Sequence, residues 1–573
     1  MSDLGFTLDA YAARDCPVKV QNRFDAALSD APDVADDLPV SSEISPDSFA
    51  TTDANRQAVF ARLEATLLAA GVSYVNVSEA AERAQATRDA VAAGVHVIIA
   101  PALRSDYATH RASRPDVLVR EGTTATGGPG YLPVQIKMHR VVARTTRHDR
   151  TLLASTFAAP FVTDAESFEG WALRDSQGDD LIQLAHYWRH LEDLDWASAT
   201  QSPLAGLITT DTEPLTDAIV WNDLTEKRIR VYARTRPDEI RTVSALERYD
   251  HEFAFRVKVA TTTQAHHGTP DDPTLMLEPV RIPECKRCQW WSACVKRMGA
   301  ADLSVQIDKS PLDVHETLAL RGLGVVTVAD LAAANLDQLL PEYLPLVGHQ
   351  QEAEERLRLA AHRARLINEG VEVERRRDTG PMNVPRASFE IDFDIETSRD
   401  GRVYLWGFLV CEDGVDPYYV HFSRFEALTV RSEGALAKRA LTWLADTLRE
   451  HPEALVYHYS NYELIHIDKF KAQPCARQLL GEFRDRFVDL FSVVKGHFFG
   501  VHGLGLKAVA SAGAGFSWRD PEASGLNSQS WFDEAITGDD EPTRTAAGQR
   551  VLEYNEDDVR ATLALRTWLA TFE

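Results

Sequence analysis

The chain is short of cysteine, of basic residues and of long apolar runs, and each shortage excludes something. Six cysteines among 573 residues are too few for a disulfide-stapled scaffold, so their spacing is read for metal ligation. No stretch reaches the roughly 18 apolar residues that a membrane-spanning helix needs. The first residues, MSDLGFTLDAYAARD, lack a basic segment followed by an apolar one, and the expected location is the cytoplasm. Lys and Arg number 61 against 86 Asp and Glu, a net charge of −25. That balance excludes a basic sheath gripping nucleic acid by bulk charge, while leaving room for a local basic channel.

What is present is ordinary globular material, 44% hydrophobic and 26% charged, in a length that suits two to four α/β domains. Its most informative stretch is Phe389-Glu-Ile-Asp-Phe-Asp-Ile-Glu-Thr397. The run is β-prone, and its acids alternate onto one face, ending in Asp394 and Glu396. Alternate residues of a strand point the same way, so these acids stand side by side, which is costly unless a cation sits between them.

Upstream, an acidic, Pro-containing loop at 29–46 leads to helical patterns at 53–70 and 78–93 and a buried strand at 95–101. A strand at 114–120, a Gly/Thr-rich turn from Gly122 to Gly130 and a return strand at 131–138 form a hairpin that can bring Asp116 beside Gln135 and Lys137. This Pro-Asp, x-x-Lys order resembles the PD-(D/E)xK nucleases. The resemblance implies one divalent metal held by carboxylates, with Lys137 orienting water or stabilising phosphorane charge. Gln135 stands where that family has Asp or Glu; its amide oxygen can ligate, but it brings no charge. Gln183 and Tyr187 share a face of a helix at 179–189 and resemble the Gln-x-x-x-Tyr signature of RecB-like nucleases, whose helix packs beside the site. His96 is read as either an added metal ligand or a core histidine.

Cys285-x2-Cys288-x5-Cys294 together with distant Cys16 resembles the iron staple of RecB-like Fe–S nucleases, which implies a [4Fe–4S] cluster clipping the ends of that domain together. A four-cysteine zinc site and unligated buried thiols remain open. Cys411 and Cys475 are read as buried thiols. The segment 318–331, helix, Gly-x-Gly turn, helix, resembles a helix-hairpin-helix module, whose hairpin amides meet a DNA phosphate. The alternative is an αα-hairpin that only spaces two domains. A charged helix at 350–374 reads as a solvated linker.

After the acid-bearing stretch come a strand at 403–410, a helix at 424–450, a strand at 455–459 running into Glu463, and Tyr554-Asn-Glu-Asp-Asp-Val559 opening the last helix. Tyr554 and Asp558 project together. Asp394 and Glu396, then Glu463, then Tyr554 and Asp558 resemble the three motifs of the DEDDy 3′–5′ exonucleases of RNase H-like fold. That resemblance implies two Mg²⁺ or Mn²⁺ ions about 4 Å apart. By that resemblance Asp394 would bridge both, Glu396 and Asp558 would complete the first, Glu463 would support the second through water, and Tyr554 would orient the attacking water. Glu463 replaces the usual Asp, and Asp489 is its rival. Lys507, in a segment at 504–510 similar to one near the family's last motif, is expected to face the phosphate.

The whole order resembles a bacterial family of RecB-like nucleases with a C-terminal RNase H-like domain. It implies a PD-(D/E)xK-type domain at 1–300, a helical segment at 301–385 and an exonuclease domain at 386–573. The expected activity is metal-dependent hydrolysis of DNA, 3′–5′ on single strands, in repair or processing. A 3′–5′ exoribonuclease and a nucleic-acid-binding scaffold with a degenerate N-terminal site are the alternatives. The expected partners are nucleic acid, single-stranded DNA ahead of RNA, and a helicase or other repair protein.

Overall fold

The structure is a computed structural model that describes residues 5–28, 46–145, 151–174, 177–199, 202–209, 215–233, 236–307, 309, 311–377, 379–399 and 401–572. The acidic loop expected at 29–46 lies outside them, save its last residue. The chain divides into two compact units: Met1–Gly299 with Glu342–Ala353, and Ala300–Pro341 with Glu354–Glu573. Most of the 301–385 segment therefore clusters with the C-terminal residues. Among the described residues no helix is long and apolar enough to cross a membrane.

The first unit is built on eight strands: β1 (Tyr74–Asn76), β2 (Val97–Ile99), β3 (Val117–Thr123), β4 (Pro129–Ile136), β5 (Thr151–Thr156), β6 (Glu166–Glu169), β7 (Leu204–Ile208) and β8 (Ala218–Asp223). They lie in the order β1-β2-β3-β4-β7-β8-β5-β6, parallel at β1–β2 and β4–β7 and antiparallel elsewhere. Both faces are covered, and the two-residue period shows how. Val97, Ile99, Val117 and Val119 join the core that holds Phe60, Leu63 and Leu184. Ile98 and Leu118 point the other way, towards Ala90 and Val91. Helix α1 (Pro17–Phe24), α2 (Pro46–Ala70), α3 (Gly178–Asp193) and α4 (Ala245–Thr263) complete the frame used below.

In the second unit a hairpin of short helices, Val314–Gly322 and Val328–Ala333, stands where the helix-hairpin-helix module was expected. Its turn amides are engaged within the hairpin. Gly324 N donates to Arg321 O and Val325 N to Leu320 O, while Val326 N and Thr327 N donate to Asp330 Oδ2 at 3.2 and 2.8 Å. The Asp330 carboxylate thus caps the second helix, and the segment forms the αα-hairpin that both readings of the sequence require. The charged helix spans Ala353–Glu369 and is not a solvated linker, because Leu357, Ala360, Ala361 and Ala364 are buried. It stops at Gly370, whose φ of +71° suits only glycine well. Val373–Arg375 then pairs with Phe498–Gly500 as a two-stranded ribbon.

The main sheet of this unit has five strands, β9 (Phe389–Thr397), β10 (Val403–Glu412), β11 (Tyr418–Ser423), β12 (Leu455–His458) and β13 (Phe487–Asp489). Their order is β11-β10-β9-β12-β13, with β9, β10 and β11 antiparallel and β12 and β13 parallel to β9. The odd residues of β9, Phe389, Ile391, Phe393 and Ile395, pack with Leu436, Ala440, Leu441 and Leu444 of α5 (Val430–Glu450). The even residues are the four acids, on the opposite face. Three more helices frame that face: α6 (Tyr462–Lys469), α7 (Gly525–Thr537) and α8 (Glu541–Leu569). Tyr554 and Asp558 lie in the middle of α8 rather than at its start. The helix begins where the Asp540 side chain accepts from Thr543 N at 2.8 Å, a cap the sequence reading passed over.

Candidate metal centre

The four acids of β9 face α8 in two different settings. Arg566 of α8 is fully buried and pairs with both oxygens of Asp392, Nε to Oδ1 at 2.9 Å and Nη2 to Oδ2 at 3.0 Å. It also pairs with Glu390, which further accepts from Tyr457 Oη and Arg386 Nε, each at 2.8 Å. The chain itself neutralises these two. Asp394 and Glu396 instead meet Asp558, eight residues before Arg566 and so on the same face of α8. One carboxylate oxygen from each of Asp394, Glu396 and Asp558 lies within 4.8 Å of the others.

Among the described residues no guanidinium or ammonium hydrogen-bonds this trio, although the Lys507 ammonium is near enough to lower Asp558 and Glu396. Asn555 Nδ2 donates to Asp394 Oδ2 at 2.6 Å, Ser528 Oγ to Glu396 Oε2 at 2.6 Å, and Trp518 Nε1 to Asp558 Oδ1 at 2.7 Å. These neutral donors orient the carboxylates without offsetting their charge. Burial, then the repulsion of Asp558, Glu396 and Glu463, pushes Asp394 well above the carboxylate range. Burial and Asp558 push Glu396 up to about 8, and burial pushes Asp558 up to about 6. Crowded hard oxygen donors of this kind fit Mg²⁺ or Mn²⁺. Tyr554 is buried with its hydroxyl bonded to Asp558. Lys507 Nζ is buried without a hydrogen-bond partner among the described residues, 4.5 Å from the centre of the Tyr554 ring and 5.5 Å from that of Trp518.

Residues 391–570 match the family model RNase_H_2 of the RNase H superfamily. The C-terminal domain is RNase H-like. No curated protein and no solved structure matches the chain. Within the RNase H-like domain, Glu463 opens α6 and is buried, with Oε2 3.6 Å from His458 Nδ1. It stands outside the close trio yet near enough to raise Asp394. Its rival Asp489 is spent on local structure, accepting from Ser460 N at 2.9 Å, Phe491 N at 3.0 Å and Ser492 Oγ at 2.6 Å as the cap of helix Leu490–His497.

The hairpin of the first unit does bring Asp116, Gln135 and Lys137 together, but with their charges already balanced. Asp116 Oδ2 accepts from Gln135 Nε2 at 2.5 Å and Ile136 N at 2.7 Å, and Oδ1 is 3.1 Å from Arg56 Nε of α2. Burial still raises Asp116 to about 6. Lys137 Nζ lies 2.7 Å from both Asp180 Oδ1 and Gln183 Oε1, and Gln183 Nε2 donates to Tyr187 Oη at 2.9 Å. His96 is not brought to this site. It is exposed at the far end of β2, opposite Arg120 and bonded to Ser73 Oγ at 2.7 Å, whereas Asp116 lies opposite Ala100. The sequence reading missed Arg56, sixty residues upstream with no local signal. It also missed Asp180, three residues before Gln183 and so on the same helix face.

Cys16, Cys285, Cys288 and Cys294 line one pocket with Val280 and Trp291. Cys16 caps α1, and Cys294 lies on the helix Trp291–Met298. Asn22 Nδ2 donates to Cys294 Sγ and Ile282 N to Cys285 Sγ, both at 3.4 Å. Burial pushes the Cys16 thiol up to about 11 and raises the other three, so only a strong cation draws four thiolates here. Four thiols around one pocket fit either a tetrahedral zinc or an iron–sulfur cluster. Cys411 and Cys475, expected to be buried, are half-buried, with Cys411 Sγ 3.9 Å from Asp392 and Cys475 Sγ 3.8 Å from Gln473.

Proposed function

We propose that the protein is a divalent-metal-dependent nuclease acting 3′–5′ on single-stranded DNA, with its catalytic centre at Asp394, Glu396 and Asp558. The observation that carries this reading is the contrast along one strand. Glu390 and Asp392 receive an arginine, whereas among the described residues the next two acids and Asp558 receive hydrogen bonds only from neutral donors, an arrangement that calls for an external cation. Bound Mg²⁺ or Mn²⁺ would supply an activated water and stabilise the charge that develops on the phosphodiester. Asp394, Glu396 and Asp558 hold the ions, and Glu463, set back from them, acts through water. Tyr554, anchored on Asp558, orients the attacking water. Lys507 turns its free ammonium to the phosphate.

Degradation of labelled single-stranded DNA and RNA with Mn²⁺ tests this reading, with ends blocked in turn to read polarity. Loss of hydrolysis in Asp394→Ala is the expected result, and RNA degraded in preference to DNA moves the assignment to an exoribonuclease.

The Arg56–Asp116 and Lys137–Asp180 pairs favour a non-catalytic first unit that binds nucleic acid or a partner. The net charge of −25 supports a helicase or other repair protein that delivers the substrate. The four cysteines hold a [4Fe–4S] cluster that clips α1 to the segment 283–298 and supplies no catalytic step. Brown anaerobic protein with four irons is the expected finding; a colourless zinc protein contradicts it.

A further inference from the structure

We infer that Asn555 is a positioning residue for the metal centre, braced by Tyr419 and admitted by Gly407, which the chain keeps small for that purpose. The inference rests on the metal reading of the acid trio and goes beyond it by assigning three residues outside the acid motifs.

Asn555 follows Tyr554 on α8 and is fully buried. Its amide is fixed at both ends. Nδ2 donates to Asp394 Oδ2 at 2.6 Å, and Oδ1 accepts from Tyr419 Oη of β11 at 2.7 Å. The same amide also bonds Glu396. One NH₂ group therefore reaches both Asp394 and Glu396, and the carboxylate of Asp394, which can only accept, decides which way round the amide sits, leaving its oxygen to the tyrosine proton. A cation in this place would compete with the metal, as Arg566 does lower on the same face. A neutral donor orients the Asp394 carboxylate and would leave its charge to the ion.

Gly407 makes the room. It lies directly opposite Asp394 in the β9–β10 register, in the middle of an otherwise bulky strand, Val403-Tyr-Leu-Trp-Gly-Phe-Leu-Val410. Its φ is not positive, so backbone conformation does not require glycine. Space does: a Cβ there would come within 1.7 Å of Asn555 Oδ1, 2.8 Å of its Cγ and 3.0 Å of Tyr419 Oη. Glycine weakens a strand interior, and it stands where the amide approaches.

The test is Mn²⁺ binding to the full chain, read from the free-ion signal by electron paramagnetic resonance, with folding checked by circular dichroism. Asn555→Ala and Gly407→Ala are each expected to weaken Mn²⁺ binding about tenfold, and Tyr419→Phe by a smaller factor. In the double variant Gly407→Ala adds nothing, because the two atoms its methyl would overlap most, Oδ1 and Cγ of Asn555, are gone. Wild-type Mn²⁺ affinity in Asn555→Ala, or losses that multiply in the double variant, overturn the inference. If Asn555→Ala does not fold, Tyr419→Phe carries the test, and unchanged binding there overturns it. A wild type that binds no Mn²⁺, or an Asp394→Ala variant that binds it fully, overturns the metal reading and this inference with it.

Discussion

At the scale of single residues, Arg566 separates acids that serve the fold from acids that serve the site. It satisfies Glu390 and Asp392 inside the protein, and removing it would leave two buried carboxylates without a countercharge. Arg566→Leu is therefore expected to lower stability by about 3–5 kcal/mol in urea unfolding, whereas Asp394→Asn, which removes charge from the crowded trio, stabilises the metal-free protein. Much of this was legible in the sequence, because alternation alone puts all four acids on one face. What alternation cannot show is which pair is neutralised. That depends on Arg566, about 170 residues downstream, and on donors such as Ser528 and Trp518, whose side-chain types carry no signal of a metal site.

At the scale of elements, β9 and α8 form the centre because each is two-sided. β9 buries its apolar face on α5, and α8 stacks Asn555, Asp558 and Arg566 along the acids. The strand was readable to the residue, since nine alternating positions admit one register. The helix was readable in kind but not in extent, since its start rests on a single cap. Asp540→Ala is expected to lower stability by about 1 kcal/mol in urea unfolding, with Mn²⁺ affinity unchanged, because the cap lies nearly four turns before Tyr554. The hairpin at 314–333 shows the opposite limit. Its Gly-x-Gly pattern predicted the turn correctly but not the engagement of its amides, because Asp330 can cap its own helix as readily as a phosphate could.

At the scale of the whole molecule, the raised carboxyls tie stability to pH and metal. Glu396 titrates near 4.5 when unfolded and near 8 when folded, and Asp558 moves from 3.8 to about 6. Between those limits the folded protein holds protons that the unfolded chain has released, so metal-free stability falls as pH rises from about 4 to 8. Mn²⁺ binds the folded state and opposes that fall, more strongly at pH 8 than at pH 6, where protons compete for the same oxygens. Thermal unfolding with chelator and with Mn²⁺ across this range is expected to give melting curves that diverge as pH rises.

The central claim is that the chain cuts nucleic acid at the acid trio of its RNase H-like domain and not at the hairpin of its first unit. Mn²⁺-dependent hydrolysis of end-labelled single-stranded DNA by the wild type, Asp394→Ala and Lys137→Ala tests it directly. The account predicts a loss of at least about 100-fold in Asp394→Ala and a change within about twofold in Lys137→Ala. Full activity in Asp394→Ala, with activity abolished in Lys137→Ala, would contradict it.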